Sequence, residues 1–242
     1  MDNKETSPNG NKLNAITIPI AIVVAGLAIA GAVYFSNVKK TDTTVPTTTT
    51  TDTTNKPIVL DPVTKDDHIN GNLDAKIIIV EYTDLECPWC KVFHETLTKT
   101  MADYGKDEVA WVLRDFPIAQ LHPKSLNEFM AAECANKLGG NAKFWDFINN
   151  VFKITPSNNG LDPAELPKIA KDIGLDVTAF NKCLASGETK ARVDRDIASG
   201  QKTGNIPTPT SYVVVGGKVT TQIKGAQSYE YVKGIVDKAL GK

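Results

Sequence analysis

Hydrophobic positions fall into three regimes along the chain. After a polar stretch over residues 1–14, residues 16–35 (ITIPIAIVVAGLAIAGAVYF) run for twenty positions without a charge. At about 1.5 Å per residue a helix of that length covers roughly 30 Å, the thickness of a bilayer core. The run predicts a transmembrane signal-anchor helix over residues 15–37. A cleaved secretory signal is the alternative, since Ala28-Ile29-Ala30 has the small-residue pattern of a cleavage site; the apolar stretch of such a signal is shorter, about 7–15 residues. Lys4 and Lys12 precede the run and Lys39 and Lys40 follow it, so charge asymmetry barely sets an orientation. Residues 41–56 (TDTTVPTTTTTDTTNK) are Thr-rich and almost without apolar side chains. Such a segment cannot bury enough surface to offset its ordering entropy. Residues 38–60 are therefore expected to be a flexible linker, followed by a single domain over residues 61–242.

Within that domain the periodicity changes several times. Residues 76–82 (KIIIVEY) form a short continuous run rich in Ile, the pattern of a buried central strand. Pro88 then stands where a first helical residue prefers proline. Trp89, Phe93 and Leu97 recur at i, i+4 and i+8, with Lys91, Glu95 and Lys99 on another face, which predicts an amphipathic helix of about 15 residues. Residues 108–116 (EVAWVLRDF) read as a second buried strand. From about residue 124 to residue 199 the pattern is helical. Leu126, Met130, Cys134 and Leu138 share one face ahead of Gly139-Gly140, and Phe144, Ile148 and Phe152 mark the next helix. Asp162-Pro163-Ala164-Glu165 resembles a capping box, and Pro167 predicts a late start or a kink. Residues 176–186 and 189–199 are two further short helices. Residues 211–215 and 218–223 flank Gly216-Gly217, a hairpin signal, and Ser228 caps a last helix carrying Val232, Ile235, Val236 and Ala239. The order β-α-β, helical block, β-β-α is that of an α/β chain with a thioredoxin fold and an all-helical insertion over about residues 120–200.

Composition narrows the chemistry. The hydrophobic and charged fractions, 41% and 23%, are those of a globular protein, and a net charge of -1 argues against a general nucleic-acid binder. Four cysteines are present, and Cys87 and Cys90 form a C-x-x-C placed between a strand and a helix. A cysteine at a helix N-terminus meets unsatisfied N–H donors and the positive end of the dipole, both of which favour the nucleophilic thiolate. Cys87 is expected to attack or be attacked, and Cys90, one turn inside the helix, to resolve the mixed disulfide. A soft-metal site using the same two thiols is the alternative from another class, but zinc wants a second short-spaced pair of ligands. Cys134, Cys183 and the three scattered histidines supply none. Cys134 and Cys183 each lie on the apolar face of a predicted helix in the insertion, which predicts a structural disulfide, two free buried cysteines being the alternative.

A second signal lies downstream, where Thr208-Pro209-Thr210 leads into Ser211, Tyr212 and the apolar residues 213–215. With Glu81-Tyr82-Thr83-Asp84-Leu85-Glu86-Cys87-Pro88-Trp89-Cys90 and Arg114-Asp115-Phe116-Pro117, the chain resembles the DsbA-like branch of the thioredoxin superfamily over residues 67–240. That resemblance implies a cis Pro209 facing the cysteine pair, Thr208 presenting backbone to a bound substrate, and Pro88 and Trp89 beside it. It also implies that Glu81, in an otherwise apolar strand, is buried beneath Cys90 and relays its proton. Arg114 is the expected partner of Glu81; Asp84 and Glu86 read as loop charges. The implied activity is that of a monomeric oxidase, with no cofactor, that introduces disulfides into reduced or unfolded exported proteins and is re-oxidised by a quinone-linked, DsbB-like membrane partner. A single-pass protein of the cell membrane with its catalytic domain extracytoplasmic would suit that role. Trp89 departs from the family's best-known pattern, where a histidine helps to hold the thiolate; a less stabilised thiolate means a weaker oxidant, and an isomerase or reductase is the alternative.

Overall fold

The computed structural model describes residues 58–204 and 206–242. The expected span over residues 15–37 lies outside the described residues, as does most of the expected linker. Among the described residues no helix is long and apolar enough to cross a membrane. The elements run β1 (His68–Asn70), β2 (Ile77–Thr83), α1 (Pro88–Ala102), β3 (Val109–Asp115), α2 (Ser125–Gly139), α3 (Asn141–Ile154), α4 (Glu165–Asp172), α5 (Val177–Ser186), α6 (Lys190–Lys202), β4 (Thr210–Val215), β5 (Lys218–Lys224) and α7 (Tyr229–Leu240).

The most apolar run of the domain takes the middle of the sheet. β2 pairs parallel with β3 on one side and antiparallel with β4 on the other, giving the order β1-β3-β2-β4-β5. Side chains alternate between the two faces of a strand. Ile77, Ile79, Glu81 and Thr83 therefore share one face. Trp111, Leu113 and Val213 extend it, and it packs under α1 and α7. Val80, Tyr82, Val112, Tyr212 and Val214 form the core of the other face. There α6 crosses the sheet at Gly200, where a Cβ would lie 2.5 Å from a Phe116 ring carbon and 3.0 Å from one of Tyr82. Only glycine permits that approach. The two central strands, the hairpin and the last helix lie within a residue or two of their expected bounds. Gly216 and Gly217 have φ of 55° and 76°, both in the left-handed region that a two-residue hairpin turn requires.

Three details differ from the pattern. β1 carries no sequence signal; it is a three-residue edge strand antiparallel to β3. The inward face of α2 is Phe129, Ala131, Ala132, Cys134 and Ala135, whereas Leu126 and Met130 are half-buried and Leu138 is exposed. The helix is packed from several sides by α3, α5 and α6, so alanines, which admit close neighbours, line the inside. α4 begins at Glu165 with Ala164 as its cap, so the expected capping box is absent, although Asp162 Oδ1 accepts from Ala164 N–H (2.9 Å). Pro167 falls in the first turn of this late-starting helix, where no intrahelical N–H donor is needed.

Candidate active site

Where β2 ends, residues 84–86 turn the chain and Cys87 becomes the N-cap of α1, with Pro88 at the first helical position. Cys87 has extended backbone (φ -80°, ψ 120°), and the N–H groups of Cys90 and Lys91 donate to its carbonyl. The two thiols are free; Cys87 retains 6% of its surface and Cys90 none. Their acidities are split. The Cys90 thiol, as hydrogen-bond donor, is the main influence holding Cys87 down to about 6; burial opposes it, and the Cys90 N–H, Thr208 and the Trp89 N–H assist. Burial pushes Cys90 well above the ordinary thiol range, and the neighbouring Cys87 and Glu81 add to it. One sulfur is thus nucleophilic near neutral pH and the other is held protonated.

The Thr208–Pro209 peptide bond is cis, and the Thr208 carbonyl lies 3.6 Å from Cys87 Sγ. Beside the pair, Pro88 is exposed and Trp89 is 64% exposed. A groove of about 600 Å3 opens at Ile206, two residues before Thr208, lined in part by Phe116, Ile118 and Ile197. The expected substrate-side residues Thr208, Pro88 and Trp89 therefore sit with the cysteines.

Beneath them Glu81 is fully buried, and burial raises its carboxyl to about 8. Its partner is not Arg114. Glu81 is in register with Leu113 and Tyr82 with Arg114, which places Arg114 on the opposite face of the sheet. There its guanidinium binds both carboxylate oxygens of Asp67, the Tyr82 and Ser199 hydroxyls and the carbonyls of Asp61 and Pro62. Trp111, two residues before Leu113 and hence on the Glu81 face, donates its indole N–H to Glu81 Oε2 at 2.9 Å.

Asp84 and Glu86 are also not loop charges in water: both are fully buried. Asp84 Oδ2 accepts from Ile118 N–H (2.7 Å) and lies 2.9 Å from His122 Nδ1; Oδ1 accepts from Glu86 N–H. The Asp84 N–H in turn points at Cys90 Sγ, 3.4 Å away. Glu86 accepts from the N–H groups of Gly160 and Leu161. Burial first, and Glu86 second, push Glu128 nearby up to about 9. These acids tie the cysteine loop to the insertion, and no local sequence signal marks them. In the insertion itself, Cys134 on α2 and Cys183 on α5 form a disulfide (S–S 2.02 Å). Among the described residues no group of three or more His, Cys, Asp or Glu side chains could hold a metal ion.

A sequence model of the thioredoxin family, Thioredoxin_4, matches residues 63–238. The chain belongs to the DsbA-like branch of the thioredoxin superfamily. Oxidised BdbD from Bacillus subtilis superposes with a TM-score of 0.66 at 26% identity, over 78% of this chain and 100% of that one. DsbA2 from Pseudomonas aeruginosa gives 0.62 at 24% identity, over 74% and 96%. By sequence, 158 residues are 30% identical to a Na(+)/H(+) antiporter NhaA of Mycolicibacterium vanbaalenii; that covers 64% of this chain and 24% of the antiporter. The chain thus spans about a quarter of the length of such relatives. As a DsbA-like protein, it has the fold of a thiol–disulfide oxidoreductase, and its free cysteine pair occupies the strand-to-helix junction of that fold.

Proposed function

We propose that this DsbA-like protein is a membrane-anchored oxidase that introduces disulfides into exported proteins through Cys87 and Cys90. The carrying observation is the split between the two thiols: Cys87 lowered to about 6 at the N-cap of α1, Cys90 buried and raised. Stabilising the Cys87 thiolate stabilises the reduced pair, and a stabilised reduced form is an oxidising one. A nucleophilic thiol held below the ordinary cysteine range is what an oxidising pair of this kind requires. That supports a moderate oxidant, in keeping with Trp89 where a histidine would add positive charge.

Reduced or unfolded clients would meet the exposed Trp89 beside Cys87, and the apolar groove at Ile206 offers them a further surface. The uncharged run over residues 16–35 supports a single-pass anchor, and a disulfide between Cys134 and Cys183 suits an oxidising, extracytoplasmic compartment. A quinone-linked membrane protein would return the pair to the disulfide, and the catalytic unit would act as a monomer. The second reading, an isomerase or reductase, is favoured by Trp89 and by Thr208 before the cis-proline.

The two are separated by assay with the full-length protein. Oxidation of a reduced model protein should outpace unscrambling of a mis-bridged one, and the protein should sediment as a monomer. Efficient unscrambling by a stable dimer would overturn the oxidase reading.

A further inference from the structure

Three oxygens on one face of the sheet are fully buried and lack a well-aligned hydrogen-bonding partner: Glu81 Oε1, Thr83 Oγ1 and Ser211 Oγ. Strand geometry brings them together. Glu81 and Thr83 are two residues apart on β2, so both emerge on the same face, and Ser211 lies directly across from Glu81 on β4. This is the face that α1 covers with the fully buried Cys90. Buried polar atoms without partners are rare and costly. Three in one place, under a reactive sulfur, point to a purpose other than folding.

Thr83 is the member that bridges the gap. The indole of Trp111 occupies Glu81 Oε2 and leaves Oε1 for another group. The next residue in the chain, Asp84, directs its N–H at Cys90 Sγ from 3.4 Å, so the end of β2 lies against the sulfur. The Thr83 hydroxyl favours the charged form of both neighbours, the Glu81 carboxylate and the Cys90 thiolate. A hydroxyl on the Glu81 face of β2, one residue before the N–H that meets Cys90 Sγ, can give one proton and accept another, which neither the indole nor the Asp84 N–H can do. A β-branched side chain is also stiff at χ1, so this hydroxyl is held in place without further ordering.

We propose that Thr83 is a proton relay between Cys90 and Glu81. The proposal deepens the oxidoreductase reading above and rests on it. When a client thiolate attacks Cys87 Sγ, the Cys87–Cys90 bond breaks and its electron pair leaves on Cys90 Sγ. Thr83 gives its hydroxyl proton to that sulfur and takes the proton held by Glu81, which ends as a carboxylate. In the reverse step the Cys90 proton passes to Thr83 while the Thr83 proton passes to Glu81. Cys90 Sγ then bonds to Cys87 Sγ, and the client sulfur leaves with the electron pair of the mixed disulfide.

The test is a single turnover with the full-length protein. A mixed disulfide is formed between Cys87 and a chromophoric aromatic thiol, and release of the chromophore reports the attack by Cys90. Thr83→Val should slow release by about 100-fold at pH 7, the lower end of what positioned proton transfer contributes. Thr83→Ser should release at nearly the wild-type rate, and alkylation of Cys87 should be unchanged in both. Glu81→Gln should be as slow as Thr83→Val, and the double variant no slower than either, since one path cannot be broken twice. Should Thr83→Val not fold, Thr83→Ala against Thr83→Ser makes the same comparison. Wild-type release by Thr83→Val beside slow release by Glu81→Gln would overturn the relay and leave the exchange centre intact. Failure of the wild-type protein to release the chromophore would overturn the exchange centre itself, and the relay with it.

Discussion

Trp111 donates its indole N–H to Glu81 Oε2 over 2.9 Å, from the strand next to that of Glu81. The bond favours the carboxylate against the burial that raises this group to about 8. Trp111→Phe should therefore push Glu81 higher still. The midpoint in the pH profile of chromophore release should move upward, with a stability loss of ~2 kcal/mol from the unpaired oxygen and the smaller ring. A midpoint that stays or falls would remove Trp111 from the control of Glu81.

Burial of Glu81 also makes stability depend on pH. Its folded pKa lies above the ordinary carboxylate value, so its contribution is fully present below about 4.5 and is lost as pH rises through about 8. Glu128, raised to about 9, acts in the same sense. The oxidised protein is the one to measure, because its cysteines do not titrate. Its urea midpoint should fall between pH 5 and pH 9, and Glu81→Gln should remove part of that fall. An equally steep fall in Glu81→Gln would show that the carboxyl stays charged in the fold.

The reduction potential should carry the mark of Cys87. Below pH 6 both thiols take a proton on reduction, whereas above it Cys87 remains a thiolate and only one proton is taken up. For a two-electron couple the slope should change from about 60 to about 30 mV per pH unit near pH 6. At pH 7 the potential should lie between about -270 and -120 mV. A single slope of about 60 mV from pH 5 to pH 8 would mean an ordinary thiol at Cys87.

Asp84 satisfies the N–H groups of Ile118 and Glu86 and sits against His122. Asp84→Ala strands those groups in a dry interior, and unfolding should become easier by ~3 kcal/mol. Asp84→Asn, which keeps an acceptor, should recover part of the loss. Equal loss in the two variants, read from urea midpoints, would assign the effect to charge and not to hydrogen bonding.

The Cys134–Cys183 bridge closes a loop with a sequence separation of 49. In the chain-entropy model its removal by a Cys134→Ala, Cys183→Ala double substitution should cost ~4 kcal/mol. The alkylation rate of Cys87 should be unchanged, since the bridge lies between α2 and α5. A large change in that rate would mean that the insertion governs the reactive pair.

Much of this architecture is legible in the chain itself. Residues 76–82 read as a central strand because Ile and Val fill four successive positions there, and Cys87 reads as a helix cap because Pro88 follows it. Both signals are local. The buried acids are not. Asp84 and Glu86 look like solvated loop charges until the N–H groups of Ile118, Gly160 and Leu161 arrive from more than thirty residues away. Arg114 misleads for a related reason. Its partner was expected at Glu81, but strand register turns the two to opposite faces, and the partner, Asp67, stands in a segment without periodicity. The alanine-lined face of α2 was hidden because alanine weighs little in an apolar pattern while fitting best where several helices crowd.

The hold of Arg114 on the carbonyls of Asp61 and Pro62 and on the carboxylate of Asp67 has a mechanical side. A pull along the chain ahead of residue 61 would be shared between these bonds and the ion pair of Lys202 with the Asp61 carboxylate. Arg114 stands on the face of the sheet away from Glu81, so a force borne there reaches the geometry under Cys90 only through the sheet itself.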